Sequence, residues 1–87
     1  MNYLTYEFDA GPKDVIQVKL DREANVRLLD SINFQKYSSG QKHTYLGGHA
    51  KTSPVNLRPP RYGHWYVVVD LGGYSGSVRA SAAKIAA

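Results

Sequence analysis

Gly63-His64-Trp65-Tyr66-Val67-Val68-Val69-Asp70-Leu71-Gly72-Gly73 is the longest apolar run of the chain and holds its single tryptophan. Read as an extended strand, it places Trp65, Val67, Val69 and Leu71 on one face and His64, Tyr66, Val68 and Asp70 on the other. One side is apolar and the other mixed, as in a central strand. A helix here would press three consecutive β-branched valines against the preceding turn and would end at Gly72-Gly73 within three turns, so it is rejected. Burying Trp65 removes roughly 150–250 Å² from water, about 4–6 kcal/mol gross at ~25 cal/mol per Å². No other residue contributes as much to a core.

Working outward from this run, the same period of two recurs. Leu4, Tyr6 and Phe8 alternate with Tyr3, Thr5 and Glu7, and Ile16, Val18 and Leu20 alternate with Gln17 and Lys19, each the pattern of a half-buried antiparallel strand. Between them, Asp9-Ala10-Gly11-Pro12-Lys13-Asp14 carries Gly-Pro turn chemistry. Asp21 to Asn25 is a polar connection of hairpin length, after which Val26 and Leu28 flank Arg27 in a third strand ending at Asp30. Ser31 to Tyr37 breaks the alternation and predicts one helical turn near residues 31–37, capped by Asp30 or Ser31, with Phe34 and Ile32 turned inward.

A short strand is expected over His43 to Leu46, stopped by Gly47-Gly48, and another over Ser53 to Leu57 with Val55 and Leu57 inward. Pro59-Pro60 excludes a central strand, so Arg58 to Tyr62 reads as an exposed connection. Gly72 to Gly76 forms a tight turn, and Ser77 to Ile85 gives a last strand with Val78, Ala80 and Ala82 on one face; a short helix over the Ala-rich end is the alternative. About seven short strands punctuated by Gly and Pro predict an all-β fold. The expected architecture is a single antiparallel β-sandwich domain over residues 1–87, jelly-roll or Greek-key-like, with Trp65 between the sheets. A small barrel of the oligonucleotide-binding kind is the rival.

Composition bounds the rest. The 87 residues contain no cysteine, so neither a disulfide framework nor a thiolate metal site is available. The start of the chain, Met1 to Glu7, lacks a basic stretch followed by an apolar one, and no run is long enough to cross a bilayer; a cytoplasmic protein without membrane contact is expected. The formal charge of +4 is uneven, with residues 1–30 at −2 and residues 31–87 at +6. Such asymmetry marks a surface for an anionic partner, unless strands from the two halves interleave and mix the charges.

At Ala24-Asn25-Val26-Arg27-Leu28-Leu29-Asp30, Asn33-Phe34, Tyr37, Ser53-Pro54-Val55, the central run and Val78-Arg79-Ala80-Ser81, the chain resembles the small bacterial domains filed as domain of unknown function 1883. The resemblance covers nearly the whole chain, and its specificity lies in the combination of motifs. It implies a compact β-sandwich, found alone or joined to signalling modules of the Toll/interleukin-receptor type. The family has no established activity and no assigned catalytic residues, so no role passes to a position here.

The residues themselves nominate no catalytic site. Gly73-Tyr74-Ser75-Gly76 lacks the glycine two places after serine that a nucleophile elbow needs. His43, His49 and His64 match no metal-ligand spacing, no phosphate-cradling loop occurs, and no cofactor is implied. Asp70, between Val69 and Leu71, is expected to be partly buried and tied to turn donors or an arginine. The candidate binding residues are Tyr37, His43, Tyr45, Arg61, Tyr62, His64, Tyr66 and Tyr74, aromatic and basic groups from the second half of the chain. Sharing one face, they would suit a protein or small-molecule ligand, or stacked single-stranded bases; on a pleated surface they are also common packing residues. The leading expectation is a non-catalytic interaction or ligand-binding module, the alternative single-stranded nucleic-acid binding by residues 31–87, with carbohydrate binding third. Edge strands left free would also allow a homodimer by strand addition.

Overall fold

A computed structural model describes residues 3–74 and 76–86. Met1, Asn2, Ser75 and Ala87 lie outside them, so the expectations for the first two residues and for the middle of the Gly72–Gly76 turn do too. Seven strands and one helix follow in order: β1 (Tyr3–Ala10), β2 (Asp14–Leu20), β3 (Ala24–Asp30), α1 (Ser31–Ser38), β4 (Leu46–Ala50), β5 (Val55–Leu57), β6 (Gly63–Asp70) and β7 (Ala80–Ala86). They form two antiparallel sheets, one ordered β1-β6-β3-β4 and the other β5-β2-β7. The β6 strand, carrying the decisive run, is interior to the larger sheet.

Its two faces divide as the alternation predicts. Trp65, Val67 and Val69 join Val26 and Leu28 of β3, and Ile16, Val18 and Leu57 of the second sheet, in one buried cluster. Register fixes the rows: Leu4, Val69 and Val26 align across the sheet, as do Tyr6, Val67 and Leu28. The opposite face of β6 is not left to solvent, because α1 lies over it and Val68 is fully buried.

Of the strands consecutive in sequence, only β3 and β4 pair with each other. The Asp21–Glu23 connection is therefore no hairpin but a crossing from one sheet to the other, tied by Asp21 N–H to the Arg79 carbonyl at 3.1 Å and by Arg79 N–H to Asp21 Oδ1 at 2.8 Å. Strands from the acidic first third thus alternate with later ones, and the charges mix. At one side of the sandwich two side chains span from β1 to β7: the Tyr6 hydroxyl donates to the Ala80 carbonyl (2.8 Å) and Lys84 Nζ to the Asp9 carbonyl (2.9 Å).

Three expectations are corrected. The short strand does not stop at Gly47-Gly48 but runs through both, as β4. Gly47 adopts φ 101° opposite Arg27, and a Cβ there would stand 2.3 Å from the Val26 carbonyl oxygen, so only glycine permits this edge. Ile32 is not turned inward; it is 66% exposed. The last strand begins at Ala80 rather than Ser77, although Val78, Ala80 and Ala82 do pack on the core. The β6–β7 connection opens with Tyr74 N–H donating to the Leu71 carbonyl across Gly72 and Gly73, both at positive φ as a type I′ turn requires.

The helix is longer than the single turn expected, at eight residues, and Asp30 caps it by accepting from Asn33 N–H. No helical residue is fully buried, so the cap and a few aromatic contacts hold it. Asp30→Ala is expected to cost about 1 kcal/mol, read as a lower urea midpoint with an unchanged slope; no change in midpoint would show that α1 is fixed by its rings alone.

Candidate functional site

The outer face of the larger sheet, beneath α1, gathers groups that sequence spacing scatters. Asp70, 2% exposed, ends β6 facing Asn25 of β3 across the register. Its Oδ1 accepts from Asn25 Nδ2 at 2.9 Å and from Gly72 N–H at 2.8 Å, and its Oδ2 from the Tyr37 hydroxyl at 2.7 Å and from Arg27 Nη1. Burial opposes the charged form, but these donors and the Arg27 charge outweigh it and hold the carboxyl below its ordinary range. Burial and the bond to Asp70 together push the Tyr37 hydroxyl well above its ordinary value. The network extends outward from Asn25 to the His49 ring (3.2 Å), which also meets Glu23 (3.3 Å).

Around this anchor the rings form a chain. The Tyr45–His43, His43–Tyr37 and Tyr37–Tyr3 centroids are 5.6, 5.3 and 5.2 Å apart. Tyr3 meets Phe34 edge-on, Phe34 stacks on Tyr66 at 4.2 Å with planes 2° apart, and Tyr66 meets His64 at 5.1 Å. The Arg27 guanidinium lies near both Tyr37 (5.7 Å) and Tyr45 (5.1 Å). Five of the eight nominated residues, Tyr37, His43, Tyr45, His64 and Tyr66, are thus brought together, but as one packed row whose ring faces and edges are largely engaged. Tyr62 stands apart against Gly11, and Tyr74 stands apart on the wall of a second cleft.

His64 lies between two carboxylates of β1, with Nδ1 2.8 Å from Asp9 and Nε2 2.9 Å from Glu7. Both contacts require N–H donors, so the geometry fits the imidazolium. The bonds to Asp9 and then Glu7 raise its pKa above the ordinary value. A raised folded-state value means that the ring contributes stability below its unfolded pKa of about 6.5 and loses it as pH rises through the folded value. The midpoint difference between wild type and His64→Gln is therefore expected below pH 6 and to shrink at alkaline pH; a pH-independent difference would refute the pairing.

The eighth residue, Arg61, marks a distinct feature. At one end of the sandwich, the buried Leu28 and Trp65 floor a cleft of ≈ 220 Å³, with Leu46 at its rim. Pro60, Tyr45 and Thr44 stand on its walls, with Asp30, Asn33 and Arg61 among the polar groups. The frame is hydrogen-bonded throughout. Asp30 Oδ1 accepts from Asn33 N–H and Nδ2, both at 2.9 Å, and Oδ2 from Arg61 Nη2 at 2.8 Å. Asn33 Oδ1 accepts from Thr44 N–H (3.0 Å), and the Trp65 indole N–H donates to the Arg61 carbonyl (3.2 Å) beneath a guanidinium 4.9 Å from its ring. The bond from Asn33 N–H is the chief cause that holds the Asp30 carboxyl below its ordinary range. Tyr45 and Leu46 are 44% and 42% exposed beside the opening, an apolar pair that the fold does not cover.

A second cleft of ≈ 640 Å³ lies between the start of β1 and the Leu71–Val78 connection, with Tyr3, Leu4, Leu71 and Tyr74 on its walls; that connection includes Ser75, outside the described residues. Among the described residues no three His, Asp or Glu side chains are grouped to hold a metal ion, and no helix is long and apolar enough to cross a membrane. Sequence reading missed Arg27, Asn33, Thr44 and Leu46. Arg27 had only the signature of a solvated face, Asn33 and Thr44 fall where alternation gives way to helix and loop, and Leu46 adjoins glycines that carry no alternation.

Two antiparallel sheets, with one short helix laid over the outer face of the larger, define a small mostly-β domain. The chain belongs to the family described as a domain of unknown function (DUF1883), which matches residues 1–87. No curated protein and no solved structure matches it.

Proposed function

We propose that the chain is a non-catalytic interaction module that holds a protein segment or a small ligand in the cleft between α1, β4 and the Pro59–Arg61 connection. The observation that carries this reading is the cleft itself: an apolar floor in a rigid hydrogen-bonded frame, with Tyr45 and Leu46 exposed at its opening. The carboxylate in its lining, Asp30, and the buried Asp70 at the other end of β6 support a binding rather than a chemical role. Asp30 and Asp70 each accept from several donors and an arginine, which leaves neither as a general base. The cysteine-free composition supports a reducing compartment such as the cytoplasm.

Bait proteins carrying Tyr45→Ala and Tyr62→Ala test the site. A partner retained by wild type and by Tyr62→Ala but lost by Tyr45→Ala is the expected result; equal retention by all three would remove the cleft from consideration. Single-stranded nucleic acid is the second reading, favoured by five Lys or Arg and no Asp or Glu over residues 31–69. It requires affinity for a short oligonucleotide that falls steeply with salt, through counterion release, in a fluorescence-polarisation titration. Absence of binding at low salt ends it.

A further inference from the structure

The cleft and the strand beside it share a chemistry that narrows the partner. Asp30 is the one carboxylate in the lining, and both its oxygens are engaged by Asn33 and Arg61. From there to Asp70 the sequence holds no acid. Lys42 precedes Thr44 by two residues, Lys51 directly follows β4, and Arg61 stands at the opening with 62% of its side chain exposed. Glu23 meets His49 in the far part of β4, away from the opening. Asp30 and Arg61 offset each other, and Lys42 and Lys51 on either side of β4 leave this edge with positive charge for a ligand.

Size and edge geometry add to this. Ordinary cofactor and drug pockets run to about 300–1,000 Å³, so ≈ 220 Å³ suits one apolar side chain. β4 starts at Leu46 on the cleft rim and is the outermost strand of its sheet, paired to β3 alone among the described residues. At Gly48 a side chain would meet open space. An extended segment can add to such an edge by backbone hydrogen bonds while a side chain enters the adjoining cleft.

We propose that the β4 edge and the adjoining cleft together receive an extended acidic segment of a partner protein, with one apolar side chain in the cleft. This rests on reading the cleft as a binding site and adds the partner's chemistry. A peptide is favoured over nucleic acid because the rings give no row of open faces for successive bases: Tyr45, 44% exposed, has Arg27 and His43 against it, and Tyr37 and Tyr66 are held in the ring row.

The test pans the full chain against a random-peptide display library. Enriched peptides, and a thymidine oligonucleotide for comparison, are then titrated by fluorescence polarisation against wild type, Lys42→Glu, Arg61→Glu and Leu46→Asp, with Arg79→Glu as a charge-matched control in the segment before β7. The expected peptides carry several Asp or Glu around one apolar residue. Lys42→Glu and Arg61→Glu should weaken them about tenfold or more, Leu46→Asp likewise, and Arg79→Glu by less than about twofold. Lys42 is exposed and its side chain has no hydrogen bond or ion pair among the described residues, so that variant remains informative if Arg61→Glu unfolds. Neutral or basic peptides that still depend on Leu46 would overturn the acidic assignment and keep the cleft. Oligonucleotide binding that depends on Arg61, with no peptide enriched, would overturn the peptide assignment. Peptides or oligonucleotides indifferent to all three cleft variants, or no binding at all, would overturn both.

Discussion

Asp70→Asn is expected to lower the unfolding free energy by about 3–5 kcal/mol, because it leaves the Arg27 charge without its partner at a site closed by α1. The new amide would also turn its NH₂ toward a donor, whether Arg27, Tyr37, Asn25 or Gly72 N–H. Since a domain of this size has a total stability on the order of 5–15 kcal/mol, the variant stands near the limit of folding. Urea unfolding followed by circular dichroism gives the value; a loss under about 1 kcal/mol would show that the network is not a stabilising anchor. The double variant Arg27→Met with Asp70→Asn should lose less than the sum of the singles, as the two residues are directly coupled. Arg27 Nε is already buried without an acceptor, which makes removal of the arginine the milder change. In acid the difference between wild type and Asp70→Asn should close. The carboxyl titrates below its unfolded value, so its contribution is complete above the unfolded pKa of about 3.9 and is lost as pH falls through the folded value.

Trp65→Ala should cost a similar amount, about 3–5 kcal/mol, through lost burial and the cavity left behind. The residue is 4% exposed and faces Phe8 on one side of its strand and Asp30 on the other. Its removal also frees the Arg61 carbonyl and deprives the guanidinium of the ring beneath it. Trp65→Phe should cost clearly less, because most of the volume stays. Circular dichroism is the suitable probe, since the sole tryptophan is the residue replaced. Equal losses for Ala and Phe would mean that the indole N–H bond, not packing, is what matters.

Where one period governed a stretch, the sequence was legible. The apolar faces of β1, β2, β3 and β6 follow simple alternation, and the core they form is the one expected. Legibility failed where a residue answers to something distant. Gly47 and Gly48 read locally as a stop, yet they sit inside a strand, and at Gly47 the β3 backbone comes too close for any side chain. The Asp21–Glu23 connection has hairpin length, but length does not tell a hairpin from a crossing between sheets. Of the nominated tyrosines and histidines, Tyr37, His43, Tyr45, His64 and Tyr66 form one row of rings while Tyr62 and Tyr74 stand apart, and the cleft owes more to Asn33, Thr44 and Leu46. Asp70 stood out by its apolar neighbours, but its partners Asn25, Arg27 and Tyr37 lie more than thirty residues away, and no local spacing reveals them.

Because only β3 and β4 pair among consecutive strands, the order in which the chain is made differs from the order in which it can become stable. β1 has no strand to pair with until β6 exists, and β2 stays unpaired until β5 and then β7 follow. Loop closure must come before most of the contacts that compensate for it, which places the domain among slow, cooperative folders, in the millisecond to second range typical of about this degree of non-local pairing. During synthesis the first two strands, with their alternating apolar residues, wait exposed, β1 for a partner more than fifty residues on and β2 for one about forty residues on. Truncation before β6 should therefore leave no folded remnant, only a chain with open strands prone to associate.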